Sequence, residues 1–369
     1  MKILHLADLH IGKTIDLYDL KEDTIYVLNQ IITIIKEQKI NVVLIAGDIF
    51  DRSVPSETSV EIFNDFLNQI IDLKVYVLAI AGNHDSGIRV ATYNKLLEKN
   101  TNFYIEGEYK GKLKKVILKD EYGPINFYLL PFFRPFEINN ALSIKEKLDD
   151  DKAFSKIMEN EKFNLQERNV LIMHQFVAGY KTSGSEETLE VAGLSNIKIE
   201  KLKVFDYVAL GHIHLPMMLT RESIRYAGSL LGYKINECGK IKSVPIIEFN
   251  DKKIPQIKLI DIKPLRPLVK ITDYYDNVLK MEKNDNIYAY IELLDDKSHL
   301  NTASNIKEIF PYCVSINYKN LKINNDISKF NINSLTDEEL IKEFYKLRTG
   351  KEIEQKDLNI VLNLLKENN

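Results

Sequence analysis

Val42-Val43-Leu44-Ile45-Ala46-Gly47-Asp48-Ile49-Phe50-Asp51 is a short apolar run that leads straight into a glycine, a carboxylate and, three residues later, a second carboxylate. An uninterrupted run rich in β-branched residues reads as a strand covered on both faces. The glycine ends it and places Asp48 in the turn beyond. In open α/β sheets, ligands collect outside the carboxyl ends of the strands. The stretch therefore predicts a layered α/β fold and a site along one rim of its sheet.

The same unit recurs on either side. Lys2–Ala7 reads as a strand leading into Asp8-Leu9-His10. Asp19–Gln38 reads as a helix with Ile25, Leu28, Ile31, Ile32 and Ile35 on one stripe. After Asp51, Ser56 is placed to cap a helix over Glu57–Leu73, and Val75–Ala81 is a strand leading into Gly82-Asn83-His84-Asp85. A hairpin is expected from Lys114 through Gly123-Pro124 to Leu130, and a charged surface helix over Ile144–Lys162. Val170–Met173 precedes His174, and Tyr207–Leu210 precedes Gly211-His212-Ile213-His214. Five of the seven histidines thus fall in turns that follow strands.

Carboxylates, imidazoles and an amide oxygen gathered at one rim suit a pair of divalent cations. Two such ions can hold a phosphoryl group, activate water and stabilise the leaving oxygen. With no thiolate in the set, a closed structural zinc site is not expected, and Mn²⁺, Fe or Zn in a mixed His/Asp site is. Cys238 and Cys313 have no metal-type spacing and cannot form a disulfide framework.

The length, 369 residues, suits about two domains and an appendage. No stretch is apolar for long enough to span a membrane, and Asp8 interrupts what would be a signal peptide, so a cytoplasmic location is expected. The net charge of −3 argues against a chain that holds nucleic acid by itself, because phosphate contacts dominate such affinity. Near Ile262 the texture changes. Pro264 and Pro267 mark a linker, Ile287–Leu294, Thr302–Phe310 and Cys313–Tyr318 read as a small α/β module, and Thr336–Glu339 forms a capping box. It opens a helix over Leu340–Leu347 that Gly350 is placed to end, followed by a second amphipathic helix over Asp357–Lys366. The expected division is 1–262, 263–330 and 331–369.

Asp-x-His, Gly-Asp-x-x-Asp, Gly-Asn-His-Asp, a lone His after a strand and Gly-His-x-His, present in that order, resemble the calcineurin-like metallophosphoesterase superfamily. The resemblance implies a β-sandwich flanked by helices, with a two-metal centre and Mn²⁺ as the favoured ion. It implies that Asp8, His10 and His214 hold one metal, that Asn83, His174 and His212 hold the other, and that Asp48 bridges them. It implies that His84 protonates the leaving oxygen or stabilises the transition state, with Asp85 orienting it. Ala209–Pro216, Tyr226-Ala227-Gly228-Ser229-Leu230-Leu231-Gly232-Tyr233 and Lys242-Ser243-Val244 resemble a narrower branch, the nuclease subunits of double-strand-break repair complexes. That resemblance implies a DNA exonuclease and endonuclease, a capping domain that positions DNA, and a C-terminal helical pair docked on the coiled coil of an ABC-type ATPase. It also implies a homodimer. The competing expectation is a small-molecule metallophosphodiesterase acting on nucleotides.

Other residues have plainer readings. Asp51 reads either as a carboxylate that fixes a ligand imidazole or as the cap of a short helix. Lys13, Arg52 and Arg89 stand beside ligand clusters and are candidates for phosphate contact. Lys110, Lys112, Lys114 and Lys115 read as a solvated edge. His5 reads as a packed strand residue, and His299 as a solvated loop residue.

Overall fold

Side-chain alternation along the first strand explains the layering of the protein. In β1 (Lys2–Leu6), Leu4 and Leu6 face one way while Ile3 and His5 face the other, and all four are buried. A strand buried on both faces needs a layer on each side. The protein, seen in a computed structural model, supplies them: helix, sheet, sheet, helix. The structure describes residues 1–92, 94–178, 197–250, 254–321, 336–349 and 352–367.

The first sheet contains β1, β2 (Val42–Ala46), β3 (Tyr76–Ile80), β4 (Phe103–Glu106), β11 (Lys242–Glu248) and β12 (Gln256–Ile262) in the order β12-β11-β1-β2-β3-β4. Strands β1 to β4 run parallel, with Ile3 opposite Val42 and Val43 opposite Val77. The second sheet has the order β9-β10-β8-β7-β6-β5. Its strands are β5 (Lys114–Asp120), β6 (Gly123–Leu130), β7 (Arg168–His174), β8 (Tyr207–Gly211), β9 (Met217–Met218) and β10 (Ile224–Tyr226). Between the sheets lies an apolar layer that includes Ile3, Val42, Leu44, Ile80, Phe127, Ile172 and Ala209. On the outer face of the first sheet pack α1 (Lys21–Gln38) and α2 (Glu57–Asp72), whose Ser56 cap accepts from the Ser59 N–H at 3.2 Å. The second sheet is covered by α5 (Pro135–Leu142) and α6 (Asp150–Glu159); the short α3 (Gly87–Val90) and α4 (Asn94–Asn100) lie between β3 and β4 in sequence.

Two compact units are distinguished. One comprises Met1–Ile271, Met281–Ile291 and Ala303–Ile316, and the other Thr272–Lys280, Glu292–Thr302 and Asn317–Asn369. In the second, helices over Asp337–Thr349 and Gln355–Glu367 pack on each other. Thr336 N–H and hydroxyl both donate to Glu339 at 2.8 Å, closing the expected capping box. Gly350 and the 330/331 boundary lie outside the described residues. Among the described residues no helix is long and apolar enough to cross a membrane.

Four expectations need correction. The helix expected over Ile144–Lys162 is instead shorter, Asp150–Glu159, and a separate helix, α5, precedes the range. Pro135 and the Glu137 carboxylate, which accepts from Arg134 N–H at 2.7 Å, start α5, and Asp149 caps α6 through Lys152 N–H at 2.8 Å. Local capping overrode a continuous charged pattern. The turns that carry the candidate ligands come from two sheets rather than one rim, because the sandwich brings the strand ends of both together. His299 is only partly solvated: its ring stacks on Tyr275 at 4.2 Å and its Nε2 lies 2.9 Å from Asp295 Oδ1. Nor is the 263–268 segment a free linker. Arg266 is clamped to the first turn of α1, with Nη1 2.8 Å from Asp23 Oδ2 and Nη2 2.7 Å from Glu22 Oε2, and Tyr288 OH donates to Asp23 at 2.9 Å.

Candidate metal centre

The turns after β1, β2, β3, β7 and β8 meet at the carboxyl ends of the strands. Backbone bonds fix them to each other before any side chain is considered. Asp8 N–H donates to Gly47 O at 3.1 Å, His10 N–H to Asp48 O at 3.0 Å and Ile11 N–H to Ile49 O at 3.0 Å. Asp8, His10, Asp48 and His212 all have positive φ, at 50°, 44°, 49° and 104°. Such backbone costs about 1–3 kcal/mol per residue, persists only where its surroundings enforce it, and clusters at functional sites. Close approach explains two glycines. A Cβ on Gly82 would sit 2.2 Å from Asp48 Oδ1, and one on Gly211 would sit 1.9 Å from Ala46 O.

The side chains converge in two groups with Asp48 between them. His10 Nε2 lies 3.1 Å from His214 Nε2, and these imidazoles share a cluster with Asp8. On the other side Asn83 Oδ1 lies 3.0 Å from His174 Nε2 and 2.9 Å from His212 Nδ1. Asp48 Oδ2 is 3.6 Å from His10 Nε2 and 3.4 Å from His174 Nε2. Buried carboxylates, imidazoles and an amide oxygen aimed at common points, with no thiolate, fit two divalent cations. His174 Nδ1 donates to Ala46 O at 2.7 Å, which turns Nε2 towards the centre.

The electrostatics belong to a site crowded with charge. Burial raises the Asp8 carboxyl to about 6, with the Asp48 charge adding to it against nearby His174 and His10. For Asp48, burial works against ionisation, but His174 and His10 outweigh it and hold the carboxyl well below the usual range. His174 is raised to about 9: burial opposes its charge, and Asp48 and Asp8 more than compensate. Burial, then the neighbouring His174, lowers His212 to about 4; burial, then His10 and Lys242, lowers His214 to about 3.

His84 is turned differently. Its Nδ1 lies 2.8 Å from the Asp51 carbonyl, and its N–H donates to Asp48 Oδ1 at 2.8 Å. Asp85 does not orient it, contrary to expectation. The Asp85 carboxylate instead accepts from the N–H groups of Ile49, Phe50 and Gly82 at 3.1, 2.9 and 2.9 Å, tying the second turn to the third. Asp51 Oδ1 lies 3.4 Å from His10 Nδ1 and 2.5 Å from Lys13 Nζ. Lys13 is thus engaged by Asp51 and by the Tyr233 ring, 5.2 Å below its ammonium. Arg52 and Arg89 are exposed, and Arg89 lines a cavity of about 620 Å³ with Phe63, Leu67 and Phe103. Lys114 pairs with Glu98 at 2.7 Å, and Lys115 lies over the Tyr128 ring. His5 is fully buried between the sheets, its Nδ1 3.0 Å from Tyr207 OH. Burial, with Arg225 nearby, lowers it to about 3, so it is neutral.

A segment that offers no ligand braces three of the turns. Tyr226 OH accepts from Val177 N–H at 2.9 Å and donates to Gln175 O at 3.1 Å, just beyond His174. Ser229 N–H donates to His214 O at 3.0 Å. Tyr233 OH donates to Leu9 O at 3.4 Å, and its ring meets His10 and His214 edge to face. Sequence reasoning marked this stretch only by resemblance. It missed Glu237, which no local pattern distinguishes.

Residues 1–216 match the family model described as calcineurin-like phosphoesterase. A curated relative from Staphylococcus epidermidis, named as the D component of the nuclease SbcCD, is 28% identical over 371 residues, covering 99% of this chain and 98% of the relative. Among solved structures, TT1561 of Thermus thermophilus aligns with a TM-score of 0.41 at 10% identity, over 71% of this chain and 99% of that one. A dimetal phosphatase from Danio rerio aligns with a TM-score of 0.39 at 11% identity, over 71% and 95%. The chain belongs to the calcineurin-like phosphoesterase family and is a metal-dependent phosphoesterase.

Proposed function

We propose that this member of the calcineurin-like phosphoesterase family is a two-metal nuclease, cleaving phosphodiester bonds in DNA as a double-strand exonuclease and single-strand endonuclease. The observation that carries the reading is the convergence of carboxylate, imidazole and amide donors around Asp48, with one further imidazole, His84, held beside them by a backbone carbonyl. Similarity along nearly the whole chain to a relative named as part of a nuclease favours DNA over a small nucleotide. In this reading Asp8, His10 and His214 hold one cation, Asn83, His174 and His212 the other, and Asp48 both, with Mn²⁺ the favoured ion. Two such ions would supply Lewis acidity towards the phosphoryl group and an attacking water.

The protein's own groups do the rest. His84 faces the scissile phosphate and gives a proton to the leaving oxygen. Asp51 fixes His10, and Lys13 is held on Asp51 until a phosphate competes for it. Arg52 and Arg89 supply exposed charge along the approach. Residues 263–330 act as a capping domain that positions DNA, and 331–369 dock on an ABC-type ATPase subunit with a coiled coil. Two copies of the chain pair in the working complex.

The deciding experiment is cleavage of a 5′-labelled duplex by the purified chain with Mn²⁺, Mg²⁺ or chelator. A Mn²⁺-dependent ladder, absent in His84→Ala, is expected. Hydrolysis of a chromogenic phosphodiester without any DNA cleavage, even with the ATPase subunit added, would select the small-molecule alternative.

A further inference from the structure

Lys242 stands at the start of β11, and its side chain is 4% exposed. Its ammonium spends its donors on three acceptors: Glu237 Oε2 at 2.5 Å, His214 O at 2.9 Å and Ser229 Oγ at 3.0 Å. A buried ammonium survives only if it is paired and its hydrogen bonds are satisfied. Glu237, 3% exposed, is the counter-charge. Its second oxygen accepts from Tyr233 N–H at 3.2 Å and lies 4.0 Å from His214 Nδ1. The pair therefore holds His214 directly by its carbonyl, through Lys242, and indirectly through Glu237, which anchors Tyr233 N–H while the Tyr233 ring packs edge to face on the His214 ring. Gly228, at φ 79°, completes the cradle, since a Cβ there would sit 2.8 Å from His214 O.

We infer that Lys242 and Glu237 are positioning residues that hold His214, and so set the affinity of the metal position His214 shares with Asp8 and His10. The inference rests on the two-metal reading above. A buried ion pair is a poor source of net stability, because apolar replacements of similar volume do as well or better. What this pair supplies is direction. Groups that fix a metal-binding imidazole from outside the donor set tune the ion it holds, and losing one costs roughly 10–100-fold in metal affinity. The hydrogen bonds of these two side chains run to each other and to His214, Ser229 and Tyr233, and none of those described reaches Asn83, His174 or His212. The effect should therefore fall on one ion.

The test uses the full chain and a calorimetric Mn²⁺ titration of the native protein, Lys242→Met, and Lys242→Met/Glu237→Gln. Lys242→Met leaves Glu237 ionised and buried without its partner, and is expected to melt earlier. The double variant has no unpaired charge and is expected to keep the native melting temperature within a few degrees. It should nonetheless bind one of two Mn²⁺ ions about 10–100-fold more weakly. Anomalous difference maps of the double variant should lose occupancy at the ion beside Asp8 and His10 and retain it at the other. A folded double variant with two native-strength sites overturns the inference, as does equal weakening of both. A double variant that fails to fold assigns the pair to stability and overturns it too. Failure of the native protein to bind two ions would instead remove the metal-centre reading, and is seen before any variant is made.

Discussion

His84 Nδ1 lies 2.8 Å from the backbone carbonyl of Asp51. A carbonyl only accepts, so Nδ1 donates to it, and the proton given to a leaving oxygen comes from Nε2 of the doubly protonated ring. A backbone atom holds the imidazole regardless of the charge on Asp51. Replacing His84 with Ala is therefore expected to remove a proton-transfer group and leave the metal donors in place. DNA cleavage should fall by about 10²–10⁴-fold, while metal analysis still finds two ions per chain. Loss of a metal with the side chain would show that His84 is itself a ligand.

Asp85 gives a prediction of a different kind. Its two oxygens receive three backbone N–H groups, from Ile49, Phe50 and Gly82. In Asp85→Asn one oxygen becomes an NH₂ that cannot accept, so at least one buried N–H loses its partner. Chemical denaturation should show a loss of about 1–3 kcal/mol. Calorimetry should show weaker binding of both ions, since the turns carrying Asp48 and Asn83 come loose together.

Metal affinity should depend on pH with a definite sign. Binding requires unprotonated donors. In the metal-free protein His174 keeps its proton up to about 9 and Asp8 up to about 6, so metal must displace one proton between those values and two below. Affinity should fall about tenfold per pH unit from 9 to 6, and more steeply under 6. A flat titration between pH 9 and 6 would mean that His174 is neutral in the metal-free state.

Away from the site, Asp120 ties the edge strand β5 to β7. Its carboxylate takes both Arg168 nitrogens, at 3.0 and 2.5 Å. Burial opposes its charge, but Arg168 and the N-terminal ammonium prevail and lower it to about 2. A lowered carboxyl stabilises the fold above its unfolded value and stops doing so as pH falls through the folded one. The contribution should therefore be intact above about 4 and vanish near 2. Asp120→Asn should flatten the acid limb of the stability curve over that window, with Mn²⁺ binding at neutral pH unchanged.

The five turns of the candidate metal centre were legible in the sequence because each sits where an apolar run stops, and their residue types stand out from their neighbours. Strand and helix periodicity likewise placed β1 to β3, α1 and α2, and the hairpin of β5 and β6. Those are local properties, written in a few consecutive residues. Tertiary structure alone decided that the turns arrive from two sheets, that Asp85 binds backbone while the Asp51 carbonyl holds His84, and that Lys242 reaches His214 from 28 residues away in the chain. Each of these depends on which atoms become neighbours once apolar faces are buried against each other. Glu237 is the clearest case. As a lone charge between Asn236 and Cys238 it carries no signal, and it acquires a role only when folding removes it from water beside an ammonium that must be paired.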